Sequence, residues 1–329
     1  MRVLVTGATG FVGSRLVPQL LAAGHDVTVL VRDADAYEAP DGVRVLEGDL
    51  LEPGSFRLVA GAGETPGQPL DRLLEALDVE AAYYLVHSMR AGEDFAERDR
   101  TAAGTFAEAA GAAGVDRVVY LGGLGEAGEE GDLSEHLASR REVEAVLAGG
   151  EYDLTTLRAG LVVGDGGASF EMVRQLAERL PVMITPRWVR TECQPIAVAD
   201  VVAYLVGVLD APATAGGTFE IGGPEVLTYG ELLGRTRREL GGRLLVVPVP
   251  VLSPGLSSRW VTLVTDVEPS VVRPLVAGLA TPMVVGDDAI REHVPVTLTP
   301  LEEAIRTAIG GDGTPDADGT ETPAATAGD

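Results

Sequence analysis

The segment HLASR, residues 136–140, places a histidine, a serine and an arginine in the first turns of a predicted helix. Positions four apart share one face of a helix, so His136 and Arg140 are expected to point the same way. An imidazole exchanges protons near neutral pH, and a guanidinium is a permanent cation with several hydrogen-bond donors. The pattern predicts either a proton-transfer site beside a polar ligand or a solvated helix face without chemistry.

Two further groups of polar residues follow predicted strands. The segment YYLVHSM contains His87, which is a second candidate acid unless it is packed and hydrogen-bonded inside the fold. In PRWVRTECQP, we identify Arg187, Trp188 and Gln194 as candidates for a pocket that binds an anionic or aromatic substrate. The alternative for these three residues is an ion-paired surface between two lobes.

Metal and disulfide chemistry find little support in the sequence. The four histidines, His25, His87, His136 and His293, do not have the spacing of metal ligands, so we predict no metal site. Cys193 is the single cysteine, which rules out a disulfide within the chain and suits a reducing compartment.

The first predicted strand runs directly into TGATGFVG, residues 6–13, and then into a helical pattern. A turn of this type brings backbone amides to a helix N-terminus, where they favour the negative charge of a pyrophosphate. The strand before and the helix after make this signal more specific than three glycines alone. The residues predicted to contact a dinucleotide here are Gly7, Thr9, Gly10, Phe11, Val12 and Gly13.

The end of the second predicted strand, VTVLVRD, supplies Arg32 and Asp33. An acidic residue at this place holds the ribose hydroxyls of NAD, whereas an arginine accommodates the 2′-phosphate of NADP. Because Arg32 comes first, we expect NADP(H) to be preferred over NAD(H). The alternative is an ordinary solvated arginine at a strand end.

Apolar runs of strand length alternate with segments of helical period over the first half of the chain. We predict strands near 2–6, 27–31, 43–46, 81–86, 117–121 and 154–158, and helices near 11–23, 70–77, 94–113, 133–148 and 168–180. This alternation predicts an α/β fold with a doubly wound parallel sheet covered by helices. The stretch 53–69, rich in glycine and proline, is expected to be a surface loop.

In the second half of the chain, the alternation of predicted strands and helices is less regular. We predict a dinucleotide-binding domain over residues 1–160, a smaller C-terminal α/β substrate lobe over 161–309, and a disordered acidic tail over 310–329. The longest apolar runs are short and broken by proline, so no membrane span is expected.

The segments TGATGFVG, VLVRD and EGDL, in this order, resemble the extended and atypical short-chain dehydrogenases/reductases, particularly the NmrA-like branch and its sugar-nucleotide epimerase relatives. The resemblance covers roughly residues 1–310 and implies a Rossmann fold. It also implies that Asp49 and Leu50 flank the adenine and that Arg140 lies beside the nicotinamide ribose. His87, at the carboxyl end of a predicted strand, is a further candidate for contact with the cofactor.

The usual mechanism of this superfamily uses a serine, a tyrosine and a lysine, and the resemblance implies that all three are replaced. The helix HLASRREVEAVL resembles the family segment Tyr-x-x-Ser-Lys-x-x-Val-Glu, so that His136 stands in the tyrosine position and Arg140 in the lysine position. The serine position falls at Gly123. His136 is then the first candidate proton donor and His87 the second.

The composition narrows the choice of partners. Acidic residues number 50 against 25 basic ones, which gives a net charge of −25, so binding to nucleic acid or an anionic membrane is disfavoured. All basic residues are arginine, which excludes any mechanism that needs a lysine. The acidic excess favours the cytoplasm of a salt-accumulating organism, although a GC-rich genome would also favour arginine codons.

Three functions therefore remain open. The first is a reductase or dehydrogenase acting on a small carbonyl or enone substrate, and the second is a dinucleotide-binding redox sensor or an assembly or accessory protein of a respiratory complex. The third is a sugar-nucleotide epimerase or dehydratase. The small-molecule substrate is not identified, and a homo-oligomer is possible.

Overall fold

The computed structural model describes residues 1–59, 67–87, 94–125, 134–180, 182–185, 187–248, 281–310 and some positions between 261 and 279. The side chains at 183–188 and 246–248 lie outside this description. The predicted acidic tail lies outside it as well, apart from residue 310.

The predicted strands and helices lie within two residues of their predicted bounds. The strands are β1 (Arg2–Thr6), β2 (Asp26–Val31), β3 (Arg44–Glu47), β4 (Arg57–Leu58), β5 (Ala81–Tyr84), β6 (Arg117–Gly123), β7 (Asp153–Ala159), β8 (Val162–Val163), β9 (Val182–Thr185), β10 (Glu192–Cys193), β11 (Ile196–Ala197), β12 (Thr218–Ile221), β13 (Leu227–Thr228) and β14 (Leu245–Pro248). The α-helices are α1 (Gly13–Ala22), α2 (Leu70–Ala76), α3 (Phe95–Ala112), α4 (Glu135–Leu147), α5 (Ala168–Arg179), α6 (Val198–Gly207), α7 (Tyr229–Glu239), α8 (Ala289–His293) and α9 (Leu301–Gly310).

Eight strands form one central sheet in the order β12-β7-β6-β5-β1-β2-β3-β4. All neighbours are parallel except β3 and β4. The chain builds outward from β1 through β2 and β3, then returns to β5 and builds the other side. This confirms the predicted doubly wound sheet and places the change of direction between β1 and β5, where ligands bind in folds of this type.

Both faces of the sheet are covered, because successive side chains of a strand point to opposite faces. In β1, Val3 and Val5 belong to a core that includes Leu16 and Leu20 of α1 and Val201 of α6. The intervening residues face a second core made with α2, α3 and α4. Since the strands are buried on both sides, their continuous apolar runs are explained.

The expectation of a plain surface loop over 53–69 is wrong for part of that stretch. Phe56 is buried, with 1% of its surface exposed, and β4 pairs with β3 in antiparallel fashion. Gly48 lies against the Phe56 ring so closely that a Cβ there would be 2.3 Å from it. One apolar side chain thus anchors the segment to the sheet; residues 60–66 lie outside the described part.

Elements from beyond residue 160 help to complete the first domain. Strand β12 pairs with β7 in the central sheet, and α6 packs against α1. Ile290 and Val294, in and after α8, join the same core. The division at residue 160 stays a prediction, but the sheet itself is assembled from both halves of the chain.

A third core lies in the second half and is built mainly by α5, α7 and α9. Thr228 and Glu231 cap the first turn of α7 by exchanging hydrogen bonds between side chain and backbone. Asp200 of α6 is 4% exposed and accepts hydrogen bonds from the amide and hydroxyl of Thr299 at 2.8 and 2.7 Å. The first contact closes the N-terminal end of α7, and the second ties the segment before α9 to α6.

Across the described ranges, no helix combines the length and the apolar composition needed to cross a membrane.

The net charge of −25 leads to a prediction about salt. Self-repulsion of carboxylates opposes folding, and dissolved ions screen it because the Debye length falls from about 10 Å at 0.1 M to about 3 Å at 1 M. We expect the melting temperature to rise between dilute buffer and molar potassium chloride. Thermal unfolding followed by circular dichroism measures this, and an unchanged melting temperature would contradict it.

Candidate functional site

The glycine turn after β1 is pressed against the chain that leaves β5. Gly7 has a φ of +73°, and a Cβ there would lie 2.6 Å from the carbonyl oxygen of Leu85. The amide of Gly10 donates to the carbonyl of Gly7 at 2.9 Å and closes the turn. The backbone therefore approaches a neighbouring strand end at a point where a side chain would not fit.

Gly13 is the first residue of α1 and lies directly over this turn. A Cβ on Gly13 would be 2.2 Å from the carbonyl oxygen of Gly7 and 2.9 Å from Cα of Ala8. Both obstacles are backbone atoms, which cannot rotate away. The helix can therefore begin this close to the strand only with glycine at this position.

The N-terminus of α1 has features that suit an anion. Val12 occupies the cap position without a capping side chain, and the first turn contains no acidic residue. The amides of Ser14 and Arg15 donate to the carbonyls of Gly10 and Val12 at 2.9 and 3.1 Å, and no carboxylate in the first turn offsets the positive end of the helix dipole. A pyrophosphate group fits this cradle chemically.

Arg15 fastens the glycine turn to the second half of the chain. Its guanidinium donates to the carbonyl oxygens of Phe11 and Asp165, each at 2.8 Å. The Phe11 ring lies against Gly164 and Gly167, where an added Cβ would be 2.9 Å from the ring. These contacts hold the turn in place before any ligand arrives.

The turn opens into a cleft of about 1490 Å³, which lies between the central sheet and the second half. This exceeds the roughly 300–1000 Å³ of usual small-ligand pockets, as expected for a dinucleotide together with a substrate. The cleft is lined by every residue predicted to contact a dinucleotide: Gly7, Thr9, Gly10, Phe11, Val12, Gly13, Arg32, Asp49, Leu50, His87 and Arg140.

Arg32 and Asp49 lie at the same end of this cleft, after β2 and β3. Arg32 is exposed and forms no ion pair with any described residue. Asp49 accepts a hydrogen bond from the amide of Leu51 at 2.9 Å, which shapes the turn that presents Leu50 to the cleft. The Arg32 guanidinium is thus available to a ligand, whereas one oxygen of the Asp49 carboxylate already accepts a hydrogen bond from the backbone of its own turn.

His87 follows β5 and is held by an acidic residue that the sequence analysis did not single out. Its Nδ1 lies 2.8 Å from Oδ2 of Asp99, which is on α3 and only 2% exposed. A carboxylate only accepts hydrogen bonds, so Nδ1 carries the proton in this pair. The other nitrogen, Nε2, is buried and has no hydrogen-bond partner among the described residues.

His136 lies beside His87, with 5.0 Å between the ring centroids. It is in the first turn of α4, whose N-cap is Ser134. Nδ1 of His136 is also buried and has no partner within the described chain. The two predicted proton donors, 49 positions apart in sequence, are therefore neighbours that both line the cleft.

The surroundings favour the neutral form of both imidazoles. Burial lowers the pKa of His87 below its ordinary value of 6.5, and the charge of Arg140 lowers it further. The hydrogen bond that His87 donates to Asp99 raises the pKa and offsets part of this shift. Burial, with the charges of Arg140 and His87, lowers the pKa of His136 to about 3. Of these two rings, His87 is the one that a carboxylate contacts among the described residues, and this contact stabilises an imidazolium.

Arg140 is one turn beyond His136 and also lines the cleft. Its Nη2 donates to the carbonyl of Leu121 at 3.1 Å, and the guanidinium lies 5.9 Å from the centre of the Tyr120 ring. The Tyr120 hydroxyl donates to the carbonyl of Arg140 at 3.2 Å. Arg140 is thus a fixed cation at the end of β6, with part of its donor capacity already engaged.

The position of the family's catalytic serine is filled by packing. A Cβ on Gly123 would lie 2.8 Å from Cδ2 of Leu137. Farther along α4, Glu144 binds Arg158 of β7 at 2.5 and 3.2 Å and anchors the helix to the sheet. The helix is therefore held where the resemblance implies, but without the serine hydroxyl.

The substrate candidates from the second half are less well supported. Arg187 and Trp188 begin a short 3-10 helix, Arg187–Arg190, and their side chains lie outside the described part. The side-chain amide of Gln194 donates to the carbonyl of Gly223 at 2.7 Å and accepts from the backbone amide of Val285 at 3.0 Å. Both ends of Gln194 are used by backbone and it is not among the residues that line the cleft, so its role in substrate binding stays a prediction.

Sequence reasoning missed Asp99, Tyr120 and Arg98, of which the last two line the cleft. Asp99 belongs to the charged stretch EDFAERDR and has no neighbour in sequence that marks it as buried. Its spacing of twelve from His87 gives no periodic signal. Only the packing of α3 beside the end of β5 brings these two side chains together.

Comparisons with known proteins agree with this geometry. Residues 7–212 match a protein family described as NAD(P)H-binding. Ceramide reductase from Caulobacter vibrioides is 33% identical over 181 residues, which is 55% of this chain and 52% of that protein. Dihydroflavonol 4-reductase from Zea mays is 45% identical over 64 residues, 16% of this chain and 18% of that protein. The chain thus spans about half the length of the first relative and less of the second.

Solved structures with the same fold cover almost the whole chain. The enzyme WbmH from Bordetella bronchiseptica, in complex with NAD+, has a TM-score of 0.66 at 15% identity and covers 94% of this chain and 97% of its own. UDP-glucose 4-epimerase from Thermotoga maritima, with UDP-glucose, has a TM-score of 0.67 at 15% identity, with coverage of 94% and 98%. At these identities the likeness shows the fold alone.

Proposed function

Because the chain belongs to the NAD(P)H-binding family, we propose that it is an oxidoreductase of the atypical, NmrA-like branch of the short-chain dehydrogenases/reductases. It moves a hydride between NADP(H) and a small carbonyl- or enone-type substrate, without the usual serine, tyrosine and lysine. One observation carries this proposal: a single cleft joins the glycine turn to two neighbouring imidazoles, each with a buried nitrogen that has no partner among the described residues.

The cradle at Gly7, Gly10 and Gly13 would hold the pyrophosphate, and Arg32 the 2′-phosphate. Leu50 would flank the adenine, and Arg140 would donate to the nicotinamide ribose. When bound, the reduced nicotinamide supplies a hydride to an electrophilic carbon, so that the π electrons of a substrate carbonyl move to its oxygen. The protein must then orient that oxygen and provide its proton.

The names of two relatives support a reductase. Ceramide reductase and dihydroflavonol 4-reductase are both similar to this chain over part of its length. The cleft also continues beyond the imidazoles into the second half, where Met172, Tyr229 and Leu279 line it. That apolar wall suits a largely apolar carbonyl compound.

A second function is favoured by one observation. Leu137 fills the space of a serine side chain at Gly123, so the usual hydroxyl is absent from the packing as well as from the sequence. A dinucleotide-binding redox sensor, or an assembly or accessory protein of a respiratory complex, would need no proton donor. The sugar-nucleotide epimerase is third, supported by the fold of its solved neighbours.

A binding and turnover screen separates these functions. NADPH and NADH are titrated first, in molar salt, by isothermal calorimetry. Quinones, enones and β-keto esters are then offered with NADPH while the absorbance of the reduced nicotinamide is followed, and UDP-glucose is tested for epimerisation. Reduction of a carbonyl compound supports the oxidoreductase; tight binding of NADPH without turnover of any compound supports the sensor.

Exchange of Arg32 for alanine tests the preference for NADP(H). A charge-assisted contact with the 2′-phosphate is worth roughly 1.5–3 kcal/mol, so we expect the Kd of NADPH to rise about 10- to 100-fold while the Kd of NADH is unchanged. Molar salt will reduce the effect, and the titration is therefore made at two salt concentrations.

The matched control is Arg72→Ala. Arg72 lies on α2, is exposed and pairs only with surface carboxylates. It should leave both dissociation constants unchanged. Equal losses of NADPH and NADH affinity in Arg32→Ala would show that Arg32 supports the fold rather than the 2′-phosphate.

A further inference from the structure

His87 of the cleft is paired with a buried carboxylate behind it, an arrangement that the family's usual mechanism does not include. Asp99 is 2% exposed and holds Nδ1 of His87 at 2.8 Å. This contact fixes the orientation of the ring and the position of its proton, which leaves the lone pair of Nε2 for another partner. A carboxylate in this role also stabilises the imidazolium when Nε2 takes up a proton.

The free nitrogens of the two rings mark a place for a ligand atom. Nε2 of His87 and Nδ1 of His136 are buried and unpartnered among the described residues, and the ring centroids are 5.0 Å apart. A buried polar atom without a hydrogen-bond partner destabilises the fold, because it has lost its contact with water. One ligand oxygen can reach both rings at this separation and would satisfy both nitrogens.

The charges around the two rings distinguish their roles. Two helices bring groups to His87: α3 carries the Asp99 carboxylate, and α4 carries His136 and Arg140. The charges of Arg140 and His87 lower the pKa of His136, and the smaller effect of the Asp99 carboxylate raises it. Among the described residues, the imidazolium form is therefore disfavoured less at His87, which Asp99 contacts, than at His136, which stays neutral and can donate a hydrogen bond from one ring nitrogen.

We propose that His87 is the catalytic residue, which gives its Nε2 proton to the substrate oxygen in reduction and takes it back in oxidation. Asp99 positions the His87 ring. Neutral His136 donates a hydrogen bond from Nδ1 to the same oxygen. This inference rests on the proposed function. In reduction, the carbonyl carbon gains a C–H bond from the reduced nicotinamide, which is oxidised. The C=O π bond breaks, the N–H bond at Nε2 breaks, and an O–H bond forms.

The protonation of His87 tests the pair without any turnover. In protein labelled with ¹⁵N-histidine, the neutral His87 ring should carry its proton on Nδ1, and Asp99→Asn should lower the pKa of His87 further because the carboxylate raises it. Assignment uses His87→Gln. A neutral ring with its proton on Nε2, or a pKa that Asp99→Asn leaves unchanged, would overturn the inference.

Turnover provides the second readout, with ethyl acetoacetate, menadione and 2-cyclohexenone as probes and saturating NADPH. Reduction needs the imidazolium, so kcat should fall as the pH rises through the pKa of His87. Asp99→Asn should lower kcat by about 10²-fold and move this limb to lower pH, with an unchanged Kd for NADPH. His87→Gln should lower kcat by roughly 10²–10⁴-fold.

The matched control is Asp200→Asn, which alters an equally buried aspartate that binds Thr299 outside the cleft. It should keep the parent kcat and pH profile. Parent turnover in both Asp99→Asn and His87→Gln overturns the inference, even if the protein is a reductase. If NADPH does not bind, the proposed function fails instead, while the tautomer of His87 still decides whether the pair exists as described.

Discussion

Replacement of Gly13 by alanine is expected to weaken dinucleotide binding strongly while the chain still folds. The new Cβ would lie 2.2 Å from the Gly7 carbonyl oxygen and 2.9 Å from Ala8 Cα, and neither backbone atom can move alone. The turn must open, which misplaces the amides at the start of α1 that would hold the pyrophosphate. We expect the Kd of NADPH to rise by about 10²-fold or more, equivalent to ~2.7 kcal/mol.

Stability should decrease at the same time, by roughly 1–3 kcal/mol, as for other overpacked sites. Calorimetric titration measures the Kd and thermal unfolding measures the stability. Gly234→Ala is the matched control, since this glycine is inside α7 and a Cβ there meets nothing within 4 Å. It should increase stability by about 0.5–1 kcal/mol and leave the Kd unchanged. Parent affinity in Gly13→Ala would show that the phosphates bind elsewhere.

Replacement of His136 by phenylalanine is expected to lower turnover strongly. Phenylalanine keeps an aromatic ring against His87 but removes Nδ1, the buried nitrogen without a partner among the described residues. Loss of a fixed donor to a developing oxyanion typically lowers kcat by about 10²–10³-fold. The Kd of NADPH should stay near the parent value, because the pyrophosphate cradle is not touched.

Arg140→Ala should give the opposite pattern, with a higher Kd for NADPH, because a cation beside the nicotinamide ribose is lost. His293→Phe is the control for the exchange of histidine for phenylalanine, since His293 is exposed on α8 next to Phe219. It should change neither constant. Parent turnover in His136→Phe, with a carbonyl compound known to be reduced, would mean that the substrate oxygen is held by His87 alone.

These two variants also bear on the choice between enzyme and sensor. Gly13→Ala affects both functions, because either one needs the dinucleotide. His136→Phe affects only a protein that does chemistry. A sensor would bind NADPH with parent affinity in the His136 variant and would show no turnover in either protein.

Much of the fold follows from local patterns in the sequence. The strand, the glycine turn and the helix at residues 2–22 are predicted from adjacent residues, because a strand, three glycines and an apolar helical face are each local signals. The absence of lysine, and the replacements at Gly123, His136 and Arg140, are likewise read directly from the sequence. These residue types remove the superfamily's usual proton donor however the surrounding segments pack.

The assembly of the candidate site depends on the tertiary structure. His87 follows β5 and His136 follows β6, and these strands become neighbours only through the sheet order. Asp99 is polar in a helix of mixed character, and no sequence pattern distinguishes a buried aspartate from a solvated one there. The packing of α3 onto the sheet decides that it meets His87.

Contacts between segments far apart in the chain also explain what the sequence did not indicate elsewhere. Phe56 belongs to a segment rich in turn-forming residues, yet its burial against Gly48 creates β4. The side-chain amide of Gln194 binds the backbone of Gly223 and Val285, partners that the sequence does not indicate, and its contact with a substrate stays a prediction. Sequence periodicity reports which face of a local element is apolar, whereas the partner of a particular polar group is set by contacts between segments far apart in the chain.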